Sequence, residues 1–183
     1  DALELSQKLT TLVVDKTGTL TEGKPVVSDV LPAAGYETES LLAVACALEQ
    51  NSEHPLARAV MTYGQQVQSK PVEMTGFEAV PGMGVQAVSG GDKISLGAPR
   101  FMSQQAIACD DALIEQLEQE GKTVIVVARS GAVMGYIALS DRVRAEARAV
   151  VQTLRKAGTK IVMLTGDKQR AAAAVASALG SES

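Results

Sequence analysis

The two ends of the chain alternate apolar runs with amphipathic stretches, as a parallel α/β sheet does. The short β-branched run at residues 12–15 predicts a buried strand that ends in an aspartate. Residues 160–164 predict a second buried strand, and an alanine-rich helix is expected over 168–179. Before that second strand, the apolar spacing predicts a helix that starts at Asp141 and stops at Gly158.

The middle of the chain has a different pattern. Strand-forming residues over 72–96 are interrupted by glycines, which predicts short antiparallel strands and tight turns. Further elements are predicted as a strand over 26–31, helices over 38–48, 55–67 and 111–120, and a hairpin that turns at 130–131. An insertion into an α/β domain explains both patterns. The expected boundaries are residues 1–24 and 141–183 for the split domain, and 25–140 for the inserted one.

Composition narrows the classes of function. A net charge of −4 argues against nucleic acid as the partner, and 3% aromatic residues leave few platforms for base stacking. Cys46 and Cys109 lie far apart without CxxC spacing, which favours reduced, buried thiols over a metal site. No apolar run is long enough to cross a membrane as a helix.

The first candidate site follows the first predicted strand, in the segment Asp-Lys-Thr-Gly-Thr-Leu-Thr at residues 15–21. Ligand sites in open α/β sheets lie at the carboxyl ends of strands, where Asp15 is expected. An ionised aspartate can attack a phosphoryl group and form an aspartyl-phosphate. Lys16 adds positive charge where such a reaction gathers negative charge. The alternative is that Asp15 only caps a turn or a helix.

The second candidate site is Thr165-Gly166-Asp167, which follows the strand predicted at 160–164. A hydroxyl and free backbone amides at a helix start can cradle a phosphate. Asp167 can also simply cap the helix that follows. The pairing with the first motif, in a second strand–helix unit, favours the functional interpretation.

Two features of the middle region suggest a nucleotide. His54 is the only histidine and precedes Pro55 at a predicted helix start, five residues after Glu49. Its imidazole could stack on a purine or bond a phosphate, and Glu49 could accept a hydrogen bond from an adenine amino group. Gly82 and Gly84 would remove side chains where a nucleotide lies against the sheet, although a G-x-G alone often marks only a turn.

Together, these motifs resemble those of a known protein family. Residues 15–21 match, letter for letter, the phosphorylation signature of P-type cation-pumping ATPases. Ser-Glu-His-Pro at 52–55 and the Gly-x-Gly at 82–84 mark the heavy-metal-transporting subgroup, of copper type or zinc/cadmium type. Over essentially its whole length, the chain resembles the cytoplasmic ATP-binding and phosphorylation region of such a pump.

The resemblance implies an α/β fold. Its first part would be a haloacid dehalogenase-like, Rossmann-type parallel sheet, incomplete here, which is the phosphorylation domain. The inserted part would be an α+β nucleotide-binding domain with an antiparallel sheet flanked by helices. The implied ligands are ATP and Mg²⁺.

The resemblance also implies roles for individual residues. Asp15 would be the phosphorylated nucleophile, with Lys16 beside it, and would hold Mg²⁺ together with the Thr17 carbonyl. The transferred phosphate would be contacted by Thr165, Gly166 and Asp167. The residues implied at the ATP site are Glu49, His54, Gly82, Gly84 and Gly97.

Three departures from the family pattern stand out. Ala98 follows Gly97 where the family often has Asn, and Lys168 stands where Asn usually follows Thr-Gly-Asp. The sequence ends at Ser183, before the Gly-Asp-Gly-x-Asn-Asp segment that supplies a second magnesium-binding acid in the family. The expectation is a fragment that binds ATP without full turnover.

Two alternatives remain open at this point. One is a soluble haloacid dehalogenase-like phosphatase, which usually carries a second Asp two residues after the nucleophile, where this chain has Thr17. The other is a nucleotide-binding module without catalysis. The resemblance to a pump implies that the protein transports a heavy metal, with copper favoured and zinc, cadmium or lead next. It also implies actuator and transmembrane domains of the same protein, at a bacterial inner membrane.

Overall fold

A computed structural model describes residues 11–15 and 20–164. The strands in this part of the chain are β1 (Thr11–Asp15), β2 (Thr21–Pro32), β3 (Thr75–Val80), β4 (Gly84–Ser89), β5 (Asp92–Gly97), β6 (Thr123–Arg129), β7 (Ala132–Val143) and β8 (Lys160–Leu164). The helices are α1 (Thr38–Glu49), α2 (Pro55–Gln66), α3 (Pro99–Gln104), α4 (Asp111–Gln119) and α5 (Ala145–Lys156). Among the described residues, no helix is long and apolar enough to span a bilayer.

The larger sheet has six strands in the order β2-β7-β6-β5-β4-β3. Strand β3 pairs with β4, β4 with β5, β5 with β6 and β6 with β7, all antiparallel, so the antiparallel sheet predicted from the glycine-broken middle is confirmed. Tight turns join β4 to β5 and β6 to β7, and glycines at positive φ form both of them: Gly90 and Gly91 in the first, Gly131 in the second. Such conformations are open to glycine at little cost.

Helices cover both faces of this sheet. Strand β6 shows why, because nearly every residue along it is apolar and its side chains alternate between the two faces. Ile125 and Val127 join the core cluster formed with α1 and α2, and Val124 and Val126 join the cluster formed with α3 and α4. The central strands are therefore buried on both sides.

In the part of the chain that the structure describes, the smaller sheet consists of β1 and β8, which pair in parallel. One of its faces packs on α5, where Val14 and Ile161 contact a cluster of Leu20, Ala147 and Val151. On the alternate positions, Val13 is 52% exposed and Val162 is 38% exposed. Within the described residues, α5 covers the other face, so the expectation that these strands are buried is wrong for the face of Val13 and Val162.

The chain divides into two compact units. Unit 1 contains residues 1–24, 119–121 and 141–183, and unit 2 contains residues 25–118 and 122–140. Unit 1 includes the parallel pair β1 and β8 with α5. Unit 2 includes most of the antiparallel sheet and the helices α1 to α3.

The structure corrects two predicted elements. Asp141 does not start a helix, because β7 continues through Val143 and α5 begins at Ala145. The Asp141 carboxylate accepts hydrogen bonds from the Thr21 hydroxyl at 2.6 Å and from the Lys24 amide at 3.2 Å, which holds this segment extended beside β2. Strand β2 also begins at Thr21, earlier than the strand predicted over 26–31. The helix predicted over 168–179 lies outside the described residues.

Candidate functional site

Asp15 is the last residue of β1, at the carboxyl end of a parallel strand pair. Its register partner is Leu164, the last residue of β8. The two strands run in the same direction and end level with each other, at the same edge of the sheet. In sequence, Lys16 follows Asp15 and Thr165 follows Leu164.

The remaining residues predicted at this edge lie outside the described residues. They are Lys16, Thr17, Thr165, Gly166 and Asp167. Their roles therefore stay predictions. In the described backbone, the two strands that precede these residues in sequence end in register. The carboxyl edge of a parallel sheet is where α/β proteins bind ligands.

The backbone that follows the first motif is fixed by a polar network within unit 1. Thr21 is fully buried, and its hydroxyl donates to Asp141. The Arg144 guanidinium donates to the Thr21 carbonyl at 3.1 Å, and the Arg144 amide donates to the Leu20 carbonyl at 2.9 Å. Asp141 and Arg144 thus hold the end of the motif rather than capping a helix with their side chains.

In unit 2, Glu49 ends helix α1 and is only 7% exposed. Burial raises the pKa of its carboxyl above the ordinary value, and a hydrogen bond from the Ser52 side chain opposes part of that rise. The Ser52 amide also donates to the Glu49 carbonyl at 3.0 Å. A buried carboxyl with a raised pKa is typical of a functional position as well as of a strained structural one.

His54 is the N-cap of helix α2, and Pro55 occupies the first helical position. The His54 Nδ1 atom accepts a hydrogen bond of 3.2 Å from the Leu56 amide, which satisfies one of the free donors at the helix start. With Nδ1 as the acceptor, the proton of the neutral ring lies on Nε2. The side chain is exposed, so Nε2–H is a donor that a ligand can use.

Ser52 connects these two residues. Its Oγ accepts a hydrogen bond of 3.4 Å from the His54 amide, while its amide and hydroxyl both bond Glu49. The predicted pair Glu49 and His54 is therefore brought together by one short loop. The structure places a buried carboxyl and an exposed imidazole at the junction of α1 and α2.

The three predicted glycines form a second group. Gly84 and Gly97 are direct partners in the β4–β5 register, and Gly82 lies in the turn before β4. A Cβ on Gly84 would lie 2.7 Å from the Gly97 Cα and would also overlap the Leu96 carbonyl oxygen. Gly82 adopts φ +68°, which a residue with a side chain rarely does. Close backbone approach thus explains the glycines at 84 and 97, and the turn explains Gly82.

Residues adjacent to each group pack against the same core cluster. Val85 follows Gly84, and Leu56 lies two residues after His54; both pack against the core cluster of α1, α2 and the sheet. Leu48, which precedes Glu49, is a buried member of that cluster. Because side chains alternate along a strand, Gly84 itself faces the opposite side of the sheet from Val85, and a Cβ on Gly97 would meet Phe101 of the second core cluster.

Arg100, beside the glycine group, was not predicted as a site residue from the sequence. An Arg100 Nη2 hydrogen bond reaches the Gly82 carbonyl. Arg100 lies on α3, a short helix that was not predicted, although Pro99 directly after Gly97-Ala98 is a helix-start signal that could have revealed it. Within the described ranges, no three His, Cys, Asp or Glu side chains come together as a metal site would require.

Comparison with known proteins identifies the family. The model of the haloacid dehalogenase-like hydrolases matches residues 9–183. The chain therefore belongs to the haloacid dehalogenase-like hydrolase family, whose α/β fold agrees with the strand pair that ends at Asp15.

Its relatives are more specific. A copper-transporting P-type ATPase of Rhizobium leguminosarum bv. viciae is 42% identical over 98% of this chain and 22% of the relative. A crystal structure of a zinc-transporting PIB-type ATPase matches with a TM-score of 0.81 at 40% identity, over 99% of this chain and 30% of that one. The resemblance to heavy-metal-transporting P-type ATPases is thereby confirmed.

A third match covers part of the chain. The N-domain of HMA8, a copper-transporting P-type ATPase, matches 63% of this chain and 99% of its own length, with a TM-score of 0.55 and 32% identity. The chain itself spans only about a quarter of the length of the curated relatives it matches, as the 22% and 26% shares of two of them show.

Proposed function

We propose that this chain is the nucleotide-binding and phosphorylation region of a heavy-metal-transporting P-type ATPase. Unit 1 would carry the phosphorylated aspartate and unit 2 would bind ATP. One observation carries the proposal. Asp15, the first residue of an intact phosphorylation signature, is the last residue of β1, and it pairs with the last residue of β8, the strand that precedes Thr165-Gly166-Asp167. Copper is the favoured cargo, with zinc, cadmium or lead next, carried by parts of the protein outside this chain at a bacterial inner membrane.

In the proposed reaction, a carboxylate oxygen of Asp15 attacks the γ-phosphorus of ATP. A new P–O bond forms to Asp15, the bond to the β–γ bridging oxygen breaks, and ADP leaves with that electron pair. Lys16 would offset the negative charge that gathers on the phosphoryl group. Thr165 and the backbone of Gly166 would hold its oxygens, and Asp167 would fix the start of the following segment.

The donor set at this edge suits Mg²⁺. Magnesium prefers oxygen ligands and is commonly held by one or two carboxylates together with substrate phosphates. The Asp15 carboxylate and the Thr17 carbonyl are the residues of this chain that would hold it. When bound, the ion would neutralise charge on the phosphates.

In unit 2, we assign adenine recognition to the Glu49–His54 junction. The buried Glu49 carboxyl would accept a hydrogen bond from the adenine amino group, and the exposed His54 ring would stack on the base or donate from Nε2. Gly82, Gly84 and Gly97 would keep the neighbouring surface free of side chains. Such a site relies on small residues, since the chain has 3% aromatics.

Titration with ATP tests the proposal. We expect His54→Ala and Gly82→Asp each to weaken binding about tenfold, or about 1.4 kcal/mol. His54→Asn separates the two roles of His54, since Asn is also a good N-cap but lacks the imidazole. Gly90→Asp is the matched control for Gly82→Asp, because Gly90 has φ +60° in the β4–β5 turn and no atom within 4 Å of its Cβ position.

Unchanged ATP binding in the variants would contradict the proposal. If ATP bound all four variants as well as the parent, the nucleotide assignment of unit 2 would be wrong. The haloacid dehalogenase-like phosphatase alternative would then be tested directly, by release of phosphate from phosphomonoesters by the parent and by Asp15→Asn.

A further inference from the structure

The glycine group of unit 2 is bordered by one cation. Gly82, Met83 and Gly84 form a turn with no polar side chain, and residues 97–99 offer none either. Arg100 follows directly, is exposed, and bonds the Gly82 carbonyl through Nη2. Among residues 82–84 and 97–100, it is therefore the residue with a polar side chain, and it lies against Gly82.

The contact fixes the guanidinium beside the turn. The nearest neighbour of a Cβ built on Gly82 would be Arg100 Nη2, at 3.8 Å. Gly82 thus presents its open Cα side towards Arg100, and no side chain separates the glycine from the cation. A hydrogen bond to a backbone carbonyl orients the planar group without neutralising its charge.

The rest of the guanidinium has no protein partner in residues 11–15 and 20–164. Its single hydrogen bond there is to Gly82, and no carboxylate of this part of the chain pairs with it. Arginine carries five N–H donors, so most of them face solvent. Their forked geometry matches phosphate oxygens.

We propose that Arg100 binds the phosphate groups of the nucleotide at unit 2, with the Gly82 carbonyl holding its guanidinium in place. This inference rests on the proposed function and adds a phosphate-binding residue to it. Arg100 would be a binding residue, and the glycines would allow the phosphate chain to pass close to the backbone. Gly82→Asp would then act partly by placing a carboxylate against Arg100.

The test compares ATP with adenosine, which shares the base and sugar but has no phosphate. We expect Arg100→Gln to weaken ATP binding about fivefold, as for an exposed ion pair, and to leave adenosine binding unchanged. Arg100→Lys should retain part of the ATP affinity, because it keeps the charge but loses the fork. Raising ionic strength should weaken ATP binding to the parent more steeply than to Arg100→Gln.

Lys93→Gln is the matched control. It removes one exposed positive charge at the opposite end of β5 from Gly97, about 13 Å away along an extended strand. We expect its affinity for ATP to equal that of the parent.

The possible outcomes separate the inference about Arg100 from the proposed function. An equal loss for ATP and adenosine in Arg100→Gln would mean that Arg100 only supports the turn, and would overturn the inference. Unchanged ATP binding in Arg100→Gln, with His54→Ala weakened, would overturn the inference and leave the proposed function standing. If the parent bound neither ligand, the proposed function would fail and the inference with it.

Discussion

Thr21 Oγ1 donates a hydrogen bond of 2.6 Å to Asp141 Oδ2, although the two residues are 120 positions apart in sequence. Thr21 closes the phosphorylation signature, and Asp141 lies where β7 returns beside β2. The bond therefore ties the backbone that follows Asp15 to a segment reached only after the whole of unit 2. It therefore fixes the backbone at the end of the motif through a contact with a residue outside the motif.

Replacing Thr21 by Val should lower the free energy of unfolding by about 1 to 3 kcal/mol. The change keeps the shape of the fully buried Thr21 side chain but leaves the half-buried Asp141 carboxylate without its hydroxyl donor. Chemical denaturation of the parent and of the variant measures the difference. Thr62→Val is the control, because the Thr62 hydroxyl bonds the Arg58 carbonyl on an exposed helix face. A Thr21→Val variant no less stable than Thr62→Val would contradict the importance of this bond.

Glu49 should contribute less to the free energy of unfolding as pH rises, the opposite of the usual trend for a carboxyl group. Burial raises the pKa of its carboxyl in the folded state, so folding favours the protonated form. This contribution is fully present below the unfolded-state pKa and is lost as pH rises through the higher folded-state pKa. We expect Glu49→Gln to gain stability relative to the parent as pH is raised from about 4 to 7. Parallel denaturation curves across that range would measure it, and a constant difference would refute it.

Asp29 should show the opposite sign. A hydrogen bond from Lys122, at 2.8 Å, holds the pKa of the Asp29 carboxyl below its ordinary value. Its contribution is therefore present above the unfolded-state pKa and is lost as pH falls through the folded-state pKa. Asp29→Asn should be less stable than the parent at neutral pH, and the gap should close on acidification. A gap that widened at low pH would rule out this account.

Gly84→Ala should be costly even without any ligand. Its Cβ would meet the Leu96 carbonyl and the Gly97 Cα, both backbone atoms of the paired strand, which cannot move aside as a flexible side chain can. Gly90→Ala measures backbone strain alone, because Gly90 has positive φ but open surroundings. We expect the Gly84 variant to lose at least about 1 kcal/mol more than the Gly90 variant in thermal or chemical unfolding. Equal losses would show that β4 and β5 can separate at low cost.

Local signals in the sequence were sufficient for much of the fold. Pro55 after His54 predicted the start of α2, and the apolar spacing before it predicted α1, which ends one residue later than expected. The antiparallel middle followed from its glycines. The strand patterns of unit 2 are clear, so local preference and tertiary packing agree.

The errors came from contacts between distant parts of the chain. Asp141 looks like a helix cap in sequence, but its carboxylate is engaged by Thr21 and Lys24, so the segment stays extended. The contact of Arg100 with Gly82 likewise joins residues 18 positions apart through a carbonyl that has no sequence signature. An apolar run such as that of β1 also cannot reveal that Val13 remains exposed on one face. Such features depend on which elements meet, which periodicity alone does not determine.

Unit 2 begins at Pro25 on β2 and ends at Ser140 on β7, and these two strands are neighbours in the sheet. Its entrance and exit are therefore side by side, as in domains that tolerate transplantation and circular permutation. Evolution could lengthen, shorten or exchange this insert without shifting the register of Asp15 against Leu164. A protein engineer could do the same, grafting a different insert in place of unit 2 onto an unchanged unit 1.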